Sequence, residues 1–199
     1  AGPGGGPARD WTGETFPGSR RFQGPAPEDM SEEQRAILER IAASRPGTGA
    51  QGPFRAWLAS PPLAEAAEAL GRIARYGTSL PRAVSEVAIL TAARHHRCAL
   101  EWRLHDGEAR KAGVPAALID RLRDGDAAPC AGPNATCPEG AAEAHAFTAA
   151  LLRDSRVGEG AYEAAVRAFT ERGVVELVAV VGYYDLVAYT LNALEVHAA

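Results

Sequence analysis

Apolar residues recur at helical spacing through most of this chain, and most runs have a recognisable start or stop. Ser31-Glu-Glu-Gln34 has capping-box form and precedes Ile37, Leu38 and Ile41, which predicts a helix ended by the loop over residues 45–51. A second helix is expected over 62–76, with Leu63, Ala66, Ala67, Leu70, Ile73 and Ala74 on its inner face. Ser79-Leu-Pro81 announces a third, with Ser79 as candidate N-cap and Val84, Val87, Ala88 and Leu90 as core positions. His95-His96-Arg97 reads as its junction with a fourth helix, which runs to Lys111 and stops at Gly113. Helices over 115–123, 139–154 and 160–172 follow, then a long apolar one from Val174. No alternating apolar/polar run of useful length and no hairpin signature appears, so the fold class is all-α. No internal repeat of helical-array length is present.

The first 27 residues break this pattern. They are rich in Gly and Pro and read as an extended arm, leaving 28–199 as a single domain. Trp11, Phe16 and Phe22 are costly to leave in water, so the arm is expected to lie along the body or on a neighbouring subunit.

Composition narrows the function classes. With 199 residues and 46% hydrophobic content, the chain can bury a substantial core. A net charge of −4 with scattered Lys and Arg argues against a nucleic-acid partner. The longest apolar stretch, 174–194, is interrupted by Glu176, Asp185 and Asn192, so it reads as a buried helix and not a membrane span. No basic-then-apolar leader opens the chain, and a cytoplasmic location is the default expectation. Cys130 and Cys137 bracket a loop short enough to close as a disulfide in an oxidising compartment, and Asn134-Ala-Thr136 is a sequon. Both leave export open.

The reactive side chains concentrate between Glu86 and His105. On a helix from Arg97, Cys98, Glu101, Trp102 and His105 fall at i, i+3, i+4 and i+7, within an arc of about 100°. Glu101 and His105 are within reach of one another, and Glu86 approaches from the preceding helix, so two carboxyls and an imidazole can divide acid and base duties. Each element also has a structural reading: a solvated Glu/His pair, a small core thiol, a packing tryptophan. His95 and His96 are junction residues on this reading, and His145 and His197 surface ones. No HExxH or CxxC motif supports a metal site.

Six stretches, in this order and spacing, carry a resemblance. They are Gly52-Pro-Phe54, Arg75-Tyr-Gly-Thr-Ser-Leu-Pro81, Ser85-Glu-Val-Ala-Ile-Leu90, Glu101-Trp-x-x-His105, Ala112-Gly-Val114 and Glu176-Leu-Val-Ala-Val-Val-Gly-Tyr-Tyr184. Together they resemble the carboxymuconolactone decarboxylase family, within the alkylhydroperoxidase D-like superfamily, over roughly Ser31 to Val196. The resemblance implies an all-helical domain that assembles as a homotrimer or homohexamer, with the active site near subunit contacts. The peroxidase branch uses a glutamate, eleven residues, a Cys-x-x-Cys pair and a histidine four residues later. This chain matches at Glu86, Cys98 and His105 but has Glu101 where the second cysteine would stand, and Leu100 where that branch commonly has another histidine. A dithiol cycle needs two thiols that can meet.

The Glu-Trp-x-x-His form resembles the decarboxylase-like branch, which works without metal or organic cofactor. That resemblance implies a small-molecule substrate with Glu86, Cys98, Glu101 and His105 as catalytic residues. His105 would carry the proton, Glu101 and Glu86 would orient or reload it, and Cys98 would line the pocket. Arg97 is the candidate for holding an oxyanion or carboxylate, and Trp102 and Tyr183 are candidate substrate contacts. The leading expectation is a cofactor-free acid–base enzyme acting on a small carboxylated, lactone or enolisable substrate. The alternatives are a thiol peroxidase using Cys98 and a non-catalytic helical oligomer that binds a small ligand. Asp185 stands where many relatives carry asparagine.

Overall fold

The computed structural model describes residues 11–13, 21–44, 52–132 and 135–196. Phe16, the loop over 45–51, Asn134 of the sequon and His197 lie outside them. Every regular element among the described residues is helical: α1 (Glu32–Ser44), α2 (Phe54–Trp57), α3 (Pro61–Arg72, continued by one π turn, Ile73–Gly77), α4 (Arg82–His95), α5 (Ala99–Lys111), α6 (Ala116–Asp124), α7 (Ala141–Asp154) and α8 (Glu159–Ala193), with 3₁₀ turns at Trp11–Gly13 and Pro27–Asp29.

α4 is the axis of the domain, in contact with α5, α6, α7 and α8. All ten residues from Val84 to Ala93 are buried, so this helix has no solvent face over that length. Val84, Ala88, Ile89 and Ala92 face a larger core that includes Ile37, Trp57, Leu177, Tyr184 and Leu191. Val87, Leu90 and Ala93 face a smaller one with Trp11, Trp102, Leu118, Ile119 and Leu122. A polar side chain between Val84 and Ala93 is therefore interior whichever way it points.

Local signals explain most boundaries. Gln34 N–H donates to Ser31 Oγ (3.1 Å) and Ser31 N–H to Gln34 Oε1 (2.9 Å), the reciprocal capping box. Ser79 does not cap α4. Its N–H and hydroxyl both donate to Glu176 Oε2 at 2.6 Å, tying the start of α4 to α8, and Pro81 occupies the cap position. The fourth helix begins at Ala99, with Cys98 as its N-cap. The two helices expected over 160–172 and from Val174 form one stretch broken only at Thr170 (φ 65, ψ 172). A Cβ at Gly173 would lie 2.5 Å from Phe169 Cβ, so glycine is what lets the chain close up after that break.

The expected inner face of the second helix is largely reversed. Ala64, Ala67, Gly71 and Ala74 point inward, whereas Leu63, Leu70, Ile73 and Tyr76 are exposed. The small side chains let α3 approach its neighbours closely and leave the large ones outside. His145, expected at the surface, is buried, with its Nδ1 3.0 Å from Thr91 Oγ1 on α4. The described parts of the arm touch the body, although Phe22, expected to be covered, stays half exposed. Trp11 is buried edge-on against Trp102 (5.2 Å between centroids), while Arg21 and Gln23 donate to the carbonyls of Ala193 and Leu194. Cys130 and Cys137 are disulfide-bonded, which leaves Cys98 as the free, buried thiol.

Candidate functional site

Glu86 sits on the fully buried face of α4 with no exposed surface, where an ionised carboxyl needs compensation. Two groups supply it. His105, two turns into α5, brings Nδ1 to 2.7 Å from Glu86 Oε2. Arg82, one turn earlier on α4, places Nη2 2.8 Å from Oε1 as a close ion pair. The ring of Tyr184 from α8 stands edge-on to the His105 imidazole, 4.8 Å between centroids. Burial pushes the Tyr184 hydroxyl well above its ordinary range, so it is a neutral donor.

Cys98 and Glu101 are buried at the start of α5, two turns and one turn before His105. The turn that delivers them places Arg97 in the left-handed region (φ 50) and starts α5 at Ala99. Glu101 is buried, and neither of its carboxyl oxygens has a hydrogen-bond partner. Loss of hydration, reinforced by the negative charge of Asp185, raises its pKa well above the usual carboxylate range and favours the neutral acid. Burial and the charge of Glu101 push the Cys98 thiol up to about 12, although the backbone N–H groups of Glu101 and Leu100 favour the thiolate.

Arg75 and Arg82 were not singled out from the sequence. Both guanidinium carbons lie 5.3 Å from the centroid of the Tyr76 ring, and Arg82 Nη1 donates to the Arg75 carbonyl. Glu108 on α5 receives both, at 3.3 Å from Arg75 and 3.6 Å from Arg82. The spacing of Arg82 and Glu86, i and i+4 on a predicted helix, was the legible signal for one of them. For Arg75, only the three-dimensional approach of the π turn to α5 gives it away.

Of the two carboxyls expected to orient His105, the structure bonds Glu86 to it and leaves Glu101 without a hydrogen-bond partner. Trp102 packs against Trp11 in the smaller core. Tyr183 lies between Trp57 and Tyr184, at 6.3 and 5.3 Å. Arg97 is exposed. Asp185 accepts from His96 Nε2 at 2.8 Å, which pins the junction turn to α8. Among the described residues, no cluster of three or more His, Cys, Asp or Glu side chains is arranged to hold a metal ion.

Residues 61–150, which include all four of these reactive positions, match the model of the Carboxymuconolactone decarboxylase family. No curated protein matches the chain. Solved structures share its fold at low identity. An uncharacterized peroxidase-related protein from Silicibacter sp. TM1040 superposes with a TM-score of 0.72 at 14% identity, covering 92% of this chain and 93% of the other. The debrominase Bmp8 does so at 0.67 and 12%, covering 88% and 90%. A protein of unknown function from Agrobacterium tumefaciens, proposed to be the antioxidant defence protein AhpD, does so at 0.61 and 16%, covering 75% and 99%. The chain thus carries a stretch that matches the carboxymuconolactone decarboxylase family model, on the all-helical AhpD-like fold.

Proposed function

We propose that this protein is a cofactor-free acid–base enzyme that transfers a proton on a small carboxylated, lactone or enolisable substrate. The observation that carries this reading is the buried Glu86–His105 hydrogen bond beside a second carboxyl, Glu101, whose burial favours its protonated form. Such pairs, pushed toward different protonation states, are what general acid–base chemistry requires.

Glu86, ion-paired to Arg82, accepts the His105 Nδ1 proton and thereby leaves Nε2 with a lone pair. That nitrogen removes a proton from an acidic carbon. For a carboxylated substrate, the bond to CO₂ breaks instead and its electron pair passes into the conjugated carbonyl. In the first case protonated His105 returns the proton it removed; after loss of CO₂, neutral Glu101 supplies the proton to the dienolate carbon and recovers it from water. The Tyr184 hydroxyl is a further neutral donor at this site.

Thiol peroxidase chemistry at Cys98 is less well supported. The thiolate is the nucleophile in that reaction, and burial holds Cys98 in the thiol form. Turnover of lactones, β-keto acids and hydroperoxides by wild type, His105→Ala, Glu101→Gln and Cys98→Ser separates the two. The acid–base reading expects the first two variants to lose activity on a carbon acid and Cys98→Ser to keep most of it. Full activity in both His105→Ala and Glu101→Gln would sink it.

The proposal includes assembly as a homotrimer or homohexamer. Trp57 Nε1 donates to Thr190 Oγ1 (3.0 Å) at one end of α3, and Ser79 bonds Glu176 beyond the other, so α3 lies antiparallel to the second half of α8. Their outer faces expose Leu63, Leu70, Ile73 and Tyr76 beside Val175, Val178, Leu186 and Tyr189. A two-helix apolar face of this kind supports burial against other copies of the chain.

A further inference from the structure

We infer that Arg75 grips an anionic group of the substrate, a carboxylate, at the Glu86–His105 site. This rests on the acid–base reading for the identity of the molecule that reacts, but not for the binding itself. Arg75 is only 11% exposed, and its Nε is both buried and without a hydrogen-bond partner. A guanidinium placed in the interior for structure alone would have its N–H groups matched. The carboxylate ion-paired with it, Glu108 at 3.3 Å, is shared with Lys111 at 2.8 Å and Arg82 at 3.6 Å, and Glu86, whose charge also reaches Arg75, is paired with Arg82.

Charge counting gives the same result. Arg75, Arg82 and Lys111 face Glu86 and Glu108, so with His105 neutral the cluster holds one positive charge too many. Arg75 is the least satisfied member, and one carboxylate would complete it. The guanidinium fork matches a carboxylate through two parallel N–H donors, which an ammonium cannot do.

Position favours the role as well. Arg75 lies in the π turn Ile73–Gly77, a local over-winding that recurs at functional sites. Contacts run without a gap from Arg75 to Glu108, Arg82, Glu86 and His105. Tyr76, under both guanidinium groups, is 54% exposed, so the cluster opens toward the surface. A substrate carboxylate held by Arg75 would put the attached carbons near the imidazole.

The test is binding, not turnover. Acetate, crotonate and benzoate, each against its neutral amide, are titrated into the full chain by NMR or calorimetry, with a thermal melt to confirm folding. Wild type is expected to prefer at least one acid over its amide by tenfold or more. Arg75→Gln should reduce that preference to within about twofold, and Arg75→Lys, which keeps the charge but loses the fork, should fall between. His105→Ala should keep the wild-type preference. Wild type with no preference for any acid, or Arg75→Gln or Arg75→Lys with an undiminished one, overturns the inference. Arg75-dependent binding together with full activity in both His105→Ala and Glu101→Gln would instead leave the clamp standing and remove the acid–base reading.

Discussion

Glu86 and His105 lie nineteen residues apart in the chain and meet inside the domain through a 2.7 Å hydrogen bond between Oε2 and Nδ1. The bond fixes the imidazole tautomer, and the ion pair to Arg82 holds the carboxylate that fixes it. Glu86→Gln preserves the shape but offers an amide to both partners, one of which needs a charge. We expect kcat to fall by roughly 10²–10⁴, the range associated with general acid–base groups, with a much smaller change in KM. An unchanged kcat would show that the pair is structural.

Glu101 should cost the folded state stability. Burial raises its pKa in the native protein above the ordinary 4.5, so as pH rises the unfolded chain releases this proton first. Stability is therefore lost from about pH 4.5 upward until the native group also ionises. Glu101→Gln removes the titration while keeping the shape. It should melt with wild type near pH 4 and above it at pH 8, each kcal/mol relieved being worth about 2–4 °C in a chain of this size. Melting below wild type at pH 8 would mean that Glu101 is held ionised. The same variant should lose activity, the trade expected of a destabilised catalytic group.

Cys98 should be inert as a nucleophile in the native state. A thiol at about 12 presents far less thiolate at neutral pH than an ordinary cysteine near 8.5. Alkylation by iodoacetamide at pH 7.5, followed by intact mass, should run at least about a hundredfold slower than for a model peptide and recover on denaturation. Rapid native labelling would favour thiol chemistry and reopen the peroxidase reading.

What the sequence disclosed and what it withheld follow from the range of each interaction. The capping box at Ser31, the stop at Gly113 and the spacing of Glu86, Cys98, Glu101 and His105 are local, and the first two end their helices where expected. Periodicity marked α3 as amphipathic but could not say which stripe faces inward. Leu63 and Leu70 look like core and are exposed because alanines give the closer approach. The sequence named two carboxyls for His105 and could not choose between them: helical spacing brings Glu101 near, whereas the crossing of α4 and α5 delivers the bond from Glu86. Arg75 escaped notice because its importance lies in contacts with Glu108, distant in sequence.

The exposed face of α3 and α8 yields the prediction with the broadest consequence. Leu70 and Val178 are 42% and 45% exposed, on helices that run side by side. Full burial of a side chain of this type contributes about 1.5–3 kcal/mol, so a few such residues, repeated at each contact, can hold an oligomer together. Leu70→Glu or Val178→Glu would force a desolvated charge into that contact and should shift sedimentation from trimer or hexamer to monomer at micromolar concentration. Tyr162→Ser, on the first half of α8 and 42% exposed, is the control and should leave the assembly intact. Tyr76, on the same face, also supports Arg75 and Arg82. Dissociation should therefore loosen the cluster next to Glu86 and lower activity in proportion to the monomer fraction. A wild-type chain that sediments as a monomer, or glutamate variants that remain assembled, would rule out this face as the subunit contact.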